Sequence, residues 1–239
     1  MSVDGLADFT PEIRAMAAKA ITSFRVGPLF TPPSLVVKGG NQGTLGRPSA
    51  GGGANWSGAA VDPETGMLYV HSRNALSTFR LQAPTPDQKS NLRYVEARGD
   101  ASPSMPGGLP LFKPPYSRLT AIDMNRGEHA WMVPLGNGKA FRNHPMLKNL
   151  NLPPLGGDSS TSGPLLTKTL LVSALSSGGT NDGPRLVARD KATGKELAWV
   201  NLPSMAIGTP MTYMIDGKQH IALTVGGNPV PELVAFTLP

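Results

Sequence analysis

Cysteine is absent from the 239 residues. No disulfide framework, thiolate nucleophile or cysteine-ligated zinc site can come from this chain. Charge is also scarce, at 16% of residues. The net charge of +6 is spread along the sequence, with no run of five like charges. Composition therefore gives no reason to expect nucleic acid as a partner. Long apolar runs are missing as well, and none approaches the ~20 residues that a membrane-spanning helix needs. The first residues, MSVDGLADFTPEIR, carry acids and no apolar segment, so they do not read as a secretory signal. Only four histidines occur, His71, His129, His144 and His220. They share no helical i,i+4 spacing and no H-E-x-x-H pattern. Ser159, Ser160 and Ser162 lie in a Gly157–Gly163 stretch without a G-x-S-x-G elbow, so a hydrolase triad is unsupported.

Glycine and proline are abundant, at 28 and 24 residues. Both weaken helix interiors, which argues against a bundle or coiled coil. Apolar runs such as Leu170–Leu175 and Ile221–Val225 are short and bounded by turns, so an all-β chain of many short strands is expected. One helix stands out, over residues 10–24. Thr10 can cap it, Pro11 suits its first turn, and Ile13, Met16, Ala17, Ala20 and Ile21 repeat at helical spacing. Residues 25–54 read as an irregular connector leading into blades over 55–239.

Three hairpins follow one rule. Ala59–Val61 and Met67–His71 flank Asp62-Pro-Glu-Thr-Gly66, and Leu119–Ile122 and His129–Val133 flank Asp123-Met-Asn-Arg-Gly127. Leu186–Arg189 and Glu196–Asn201 flank Asp190-Lys-Ala-Thr-Gly194. An Asp carboxylate accepts backbone N–H bonds just ahead of it, and Gly takes the positive φ that re-enters the next strand. A fourth hairpin, Met211–Ile215 and Lys218–Val225, turns at Asp216-Gly217, and Leu233–Leu238 is a last strand. The Asp-x3-Gly turns recur roughly every 60–70 residues, which fits four-stranded propeller blades carrying loop insertions. On periodicity alone an ordinary sandwich remains open.

The repeats take a more specific form. Ala121-Ile-Asp123-Met-Asn-Arg-Gly127-Glu-His-Ala-Trp131 fits A-x-D-x3-G-x3-W. This resembles the tryptophan-docking motif of the eight-bladed quinoprotein dehydrogenases, which use pyrroloquinoline quinone (PQQ). In Ala188–Trp199 the tryptophan comes one residue late, with Ala198 in its usual place, which counts against normal docking there. Gly51–Val70 is similar to the family's entry into a blade beside the cofactor, and Gly208–Gly227 to its penultimate hairpin. Arg142-Asn-His-Pro145 and Lys148-Asn-Leu-Asn-Leu-Pro153 resemble the glucose dehydrogenase-like branch. The resemblance runs from about residue 9 to the end. It implies the C-terminal portion, roughly three to four of eight blades with one N-terminal helix, and a missing N-terminal propeller half.

That resemblance implies PQQ and Ca²⁺ as cofactors, with the metal polarising the quinone as a Lewis acid. It implies oxidation of a sugar or alcohol, with electrons passed to ubiquinone or cytochrome c, in the periplasm. No catalytic base or metal ligand can be placed in this chain. Asn55 and Trp56 are the local cofactor candidates: an amide offers donor and acceptor to a carboxylated quinone, and an indole offers a flat wall. A turn Asn and a core Trp are the plain alternatives. Gly226 and Gly227 match a strand end that faces the cofactor in relatives, or a plain turn. Relatives carry Trp or His near the positions of Asn228-Pro229. His71, at a strand end, is a candidate for the central channel, and His144 for substrate access. Asp62, Asp123 and Asp190 read as turn caps rather than calcium ligands. Two other readings stay open: a non-catalytic propeller scaffold, and an inactive remnant prone to self-association.

Overall fold

A computed structural model describes residues 3–99, 101–103, 105–159, 162–227 and 230–237. Ser160, Asn228, Pro229 and Leu238 therefore lie outside the described residues. In chain order the elements are α1 (Pro11–Ala20), β1 (Ser34–Leu35), β2 (Thr44–Gly46), β3 (Ala59–Asp62), β4 (Met67–Arg73), β5 (Ser77–Gln82), β6 (Val95–Glu96), β7 (Ser117–Asp123) and β8 (Glu128–Pro134). Then come α2 (Lys139–Arg142), β9 (Leu165–Leu166), β10 (Leu170–Leu175), β11 (Arg185–Asp190), β12 (Glu196–Asn201), β13 (Met211–Ile215), β14 (Lys218–Val225) and β15 (Glu232–Thr237). Strands dominate, as the composition requires. Two compact units form.

The first unit takes residues 1–53, 74–114 and 144–149. Its helix α1 begins as the sequence predicts: the Ile13 N–H donates to Thr10 Oγ1 at 3.2 Å, and Ile13 and Ala17 are buried. It stops at Ala20, short of the expected residue 24. Beyond it the bonds tighten to three-residue turns, Thr22 to Lys19 and Phe24 to Ile21, and the Arg25 N–H is claimed by the Gly43 carbonyl. The expected connector over 25–54 is also more ordered than its composition indicates. Strands β1 and β2 both pair with β5, and β6 joins β5 as well.

The second unit takes residues 54–73, 115–143 and 150–239. It holds three antiparallel sheets, ordered β3-β4-β7-β8, β9-β10-β11-β12 and β13-β14-β15. Their hairpins close by the expected chemistry. Asp62, Asp123 and Asp190 each accept a backbone N–H through Oδ1, and Gly66, Gly127 and Gly194 stand at φ of 71°, 69° and 73°. Asp216 and Gly217, both at positive φ, make the tight fourth turn.

The middle sheet explains the apolar run at 170–175. Side chains alternate across a strand, so Leu171 and Leu175 of β10 join Tyr69, Leu119, Ala121 and Val187 in one core. Val172 and Ala174 of the same strand join Leu186, Leu223 and Val225 in another. A sheet buried on both faces reads as a nearly continuous hydrophobic run. Each fully buried leucine contributes about 1.5–3 kcal/mol.

Trp131 joins the first two sheets. The half-buried indole lies on the 190–194 turn of the middle sheet, and its Nε1–H donates to the Lys191 carbonyl at 3.3 Å. A Cβ on Gly194 would stand 2.8 Å from Trp131 Cζ3, so only glycine lets the ring settle. Tyr69 donates to the same carbonyl at 3.0 Å. Lys191 Nζ meets Asp62 Oδ2 at 2.6 Å. This ammonium holds the Asp62 carboxyl below its usual range, and Asp62 in turn raises Lys191.

Trp199 does not dock in that way. Both hairpins carry a register shift, so Ala121 faces Trp131 while Ala188 faces Ala198. The one-residue offset sends Trp199 to the opposite face of its sheet, across from Val187. It is 44% exposed, with the Arg185 guanidinium 5.8 Å from its ring centre.

Candidate functional site at the inner strand entries

Strands β3, β9 and β13 each form one edge of their sheet. Just before them stand Ser57, Gly163 and Thr209, each two residues ahead of its strand. The three converge. The Gly163 N–H donates to Thr209 Oγ1 at 3.2 Å, and the Thr209 hydroxyl donates to the Ser57 carbonyl at 3.4 Å. No local pattern signals this meeting, because the partners are separated by 46 and 152 residues.

Asn55 and Trp56 lead directly into this convergence. Asn55 forms a turn: its Oδ1 accepts the Trp56 N–H at 2.9 Å and its carbonyl accepts the Gly58 N–H at 3.0 Å. Trp56 is 98% exposed, so it is not part of the core of this chain. An indole so placed offers an entire flat apolar face. The Gly226 N–H donates to the Met205 carbonyl at 2.8 Å. A Cβ there would meet Ile207 Cγ2 at 3.3 Å. Gly227 backs onto the carbonyl of Val230, where a side chain would collide. Asn55 and Trp56 adjoin the convergence through Ser57, whereas Gly226 and Gly227 bond and pack against residues 205, 207 and 230.

His71 reaches the same convergence from β4. It is 6% exposed, and its Nδ1 lies 3.0 Å from the Ser162 carbonyl. A carbonyl only accepts, so Nδ1 carries the proton and Nε2 keeps a lone pair without a partner among the described residues. Burial first, and then the nearby Arg189 and Arg73, push its pKa down to about 4. The ring is therefore neutral at physiological pH. His144 belongs to the first unit, where its ring bonds Pro106 O and the Met146 N–H. His129 is exposed and His220 stacks on Tyr213. Asp158 escaped the sequence reading. Buried, it accepts the Gly138 and Lys139 N–H groups at 2.7 and 3.0 Å, and so caps α2.

Among the described residues no three His, Asp or Glu side chains gather as a metal site would need. None of the helices described is long and apolar enough to cross a membrane.

Residues 1–221 match the family model described as the PQQ glucose/ethanol/alcohol dehydrogenase beta-propeller domain. The chain belongs to that family. It is 29% identical to the quinate/shikimate dehydrogenase (quinone) of Acinetobacter baylyi, over 91% of this chain and 28% of that protein. It is 28% identical to the quinoprotein glucose dehydrogenase of Escherichia coli, over 84% of this chain and 26% of that one. The chain therefore spans under a third of the length of these relatives. The solved quinohemoprotein alcohol dehydrogenase of Comamonas testosteroni superposes with a TM-score of 0.45 at 21% identity, covering 73% of this chain and 22% of that one. The three sheets of the second unit are successive propeller blades of this family, and Trp131 is a docking tryptophan between two of them.

Proposed function

We propose that this chain is the C-terminal part of a periplasmic PQQ-dependent dehydrogenase. The whole enzyme oxidises a sugar or alcohol hydroxyl and delivers the electrons to ubiquinone or a cytochrome. The reading rests on family membership, and the single local observation that carries it is the bare Trp56 indole at the entry of the inner strands. Bound PQQ supplies the two-electron redox chemistry. This chain supplies binding: Trp56 gives a stacking face, Asn55 an amide for a ring carboxylate or carbonyl, and the Gly226-Gly227 strand end a backbone edge facing the cofactor, as the family resemblance implies. Ca²⁺ ligands and the catalytic base fall to the missing N-terminal propeller half.

The test is PQQ titration of the complete polypeptide, or of this chain paired with its missing half, in Ca²⁺. Trp56→Ala and Asn55→Ala are each expected to weaken PQQ binding about tenfold or more, the loss of one stacking face or one hydrogen-bonding amide. Thermal stability should hardly change, because both residues are exposed. A complete polypeptide that binds no PQQ and oxidises no alcohol would overturn the proposal in favour of a scaffold.

A further inference from the structure

The Ser162–Gly163 peptide is held at both ends. Its carbonyl accepts from His71 Nδ1 at 3.0 Å, and its N–H donates to Thr209 Oγ1 at 3.2 Å. The Thr209 hydroxyl spends its own proton on the Ser57 carbonyl at 3.4 Å. One amide plane from the middle blade is thus bonded to the blade on either side. Gly163 makes this possible, because any Cβ there would collide with Ser57 O and come within 2.9 Å of Thr209 Oγ1. Its φ is not in the left-handed region, so close approach, and not backbone conformation, is what demands glycine. Ser57 follows Trp56 directly. The clamp therefore ends one residue from the exposed indole.

We propose that Thr209 and His71 are positioning residues, which act through the Ser162–Gly163 peptide and Ser57 to fix Trp56 and Asn55 against the quinone. This rests on the cofactor reading above. The fully exposed Trp56 has no side-chain packing to hold it, so its backbone is set by the Asn55 turn on one side and by Ser57 on the other. The three residues of the knot occupy the same place in three consecutive blades, so the knot also ties the blades together where their inner edges meet.

Two measurements separate this inference from the cofactor reading. First, the chain is labelled with 5-fluorotryptophan, which gives three ¹⁹F resonances for Trp56, Trp131 and Trp199. Thr209→Val, close in volume but lacking the hydroxyl, is expected to shift or broaden the Trp56 resonance and leave the other two in place. Thr209→Ser is expected to restore it. Second, PQQ is titrated into the complete polypeptide. Thr209→Val is expected to weaken binding about tenfold, the scale of one lost hydrogen bond, and Thr209→Ser to recover it. The pair His71→Phe and His71→Asn repeats the test from below, since Asn keeps a donor for Ser162 O and Phe does not. These two carry the test if Thr209→Val fails to fold. An unmoved Trp56 resonance in both Thr209→Val and His71→Phe overturns the positioning role. A moved resonance with unchanged PQQ affinity overturns the link to the quinone, while the knot itself stands.

Discussion

At the scale of single residues, two tryptophans with nearly the same sequence surroundings do different work. Trp131 lies on the next blade and donates to a backbone carbonyl, while Trp199, one position out of phase, faces the other way with Arg185 beside it. A one-residue phase shift in a strand exchanges its faces, and the x3-against-x4 spacing after glycine made this visible in the sequence. His71 was legible only as a histidine near a strand end. Its burial could not be read, because the residues that cover it come from a strand entry about 90 residues away in sequence. That burial has a measurable consequence. The folded imidazole resists protonation down to about 4, whereas an ordinary histidine titrates near 6.5. Between these values the unfolded chain binds a proton that the folded chain refuses. Stability is therefore complete above pH 6.5 and declines as pH falls toward 4, by about 3 kcal/mol at most. Denaturant titrations at pH 7.5, 5.5 and 4.5 should show this slope, and His71→Asn should flatten it.

At the scale of elements, the hairpins were almost wholly legible. Asp and Gly at fixed spacing dictate a turn through bonds within a few residues, and that information is local. The helix start was legible for the same reason, since Thr10, Pro11 and Ile13 settle it among themselves. Its end was not, because a carbonyl at Gly43 takes the Arg25 N–H. No strand was expected at β1, β2, β5, β6 or β9. All but β5 are only two or three residues long, and β1, β2 and β6 exist because β5 offers them an edge. The turn bearing Gly194 is doubly constrained, by its φ of 73° and by the indole above it. Trp131→Ala is expected to lower stability by about 2–3 kcal/mol, as for a large, partly buried ring. Trp199→Ala should cost less than about 1 kcal/mol, the scale of an exposed cation–π pair. Thermal unfolding of the two variants side by side decides whether docking works as described.

At the scale of the molecule, the second unit is a stack of three blades, and a stack has two ends. On the β13–β15 sheet, Met211, Met214, Ile215 and Leu233 are exposed. So many apolar side chains on one small sheet invite association. The chain on its own is expected to self-associate in sedimentation velocity at micromolar concentration, and Met214→Lys with Leu233→Lys to shift it toward monomer. A compact monomer of the unmodified chain would contradict this. The order of the blades was legible from the repeating turns, and the family from the docking motif. The knot at the inner strand entries was not, because it brings together residues from three repeats that share no local pattern.

The two-sided middle sheet has one more implication. Leu171 and Val172 are neighbours in the chain, yet they belong to separate hydrophobic cores roughly a sheet's thickness apart. Strand β10 is thus read twice, once by each flanking blade. Most strands can slip by a residue and spoil one packing surface. A slip here would misplace leucines and small residues on both sides at once, and so the least error-tolerant six residues of the protein are those that look most like an unremarkable greasy run.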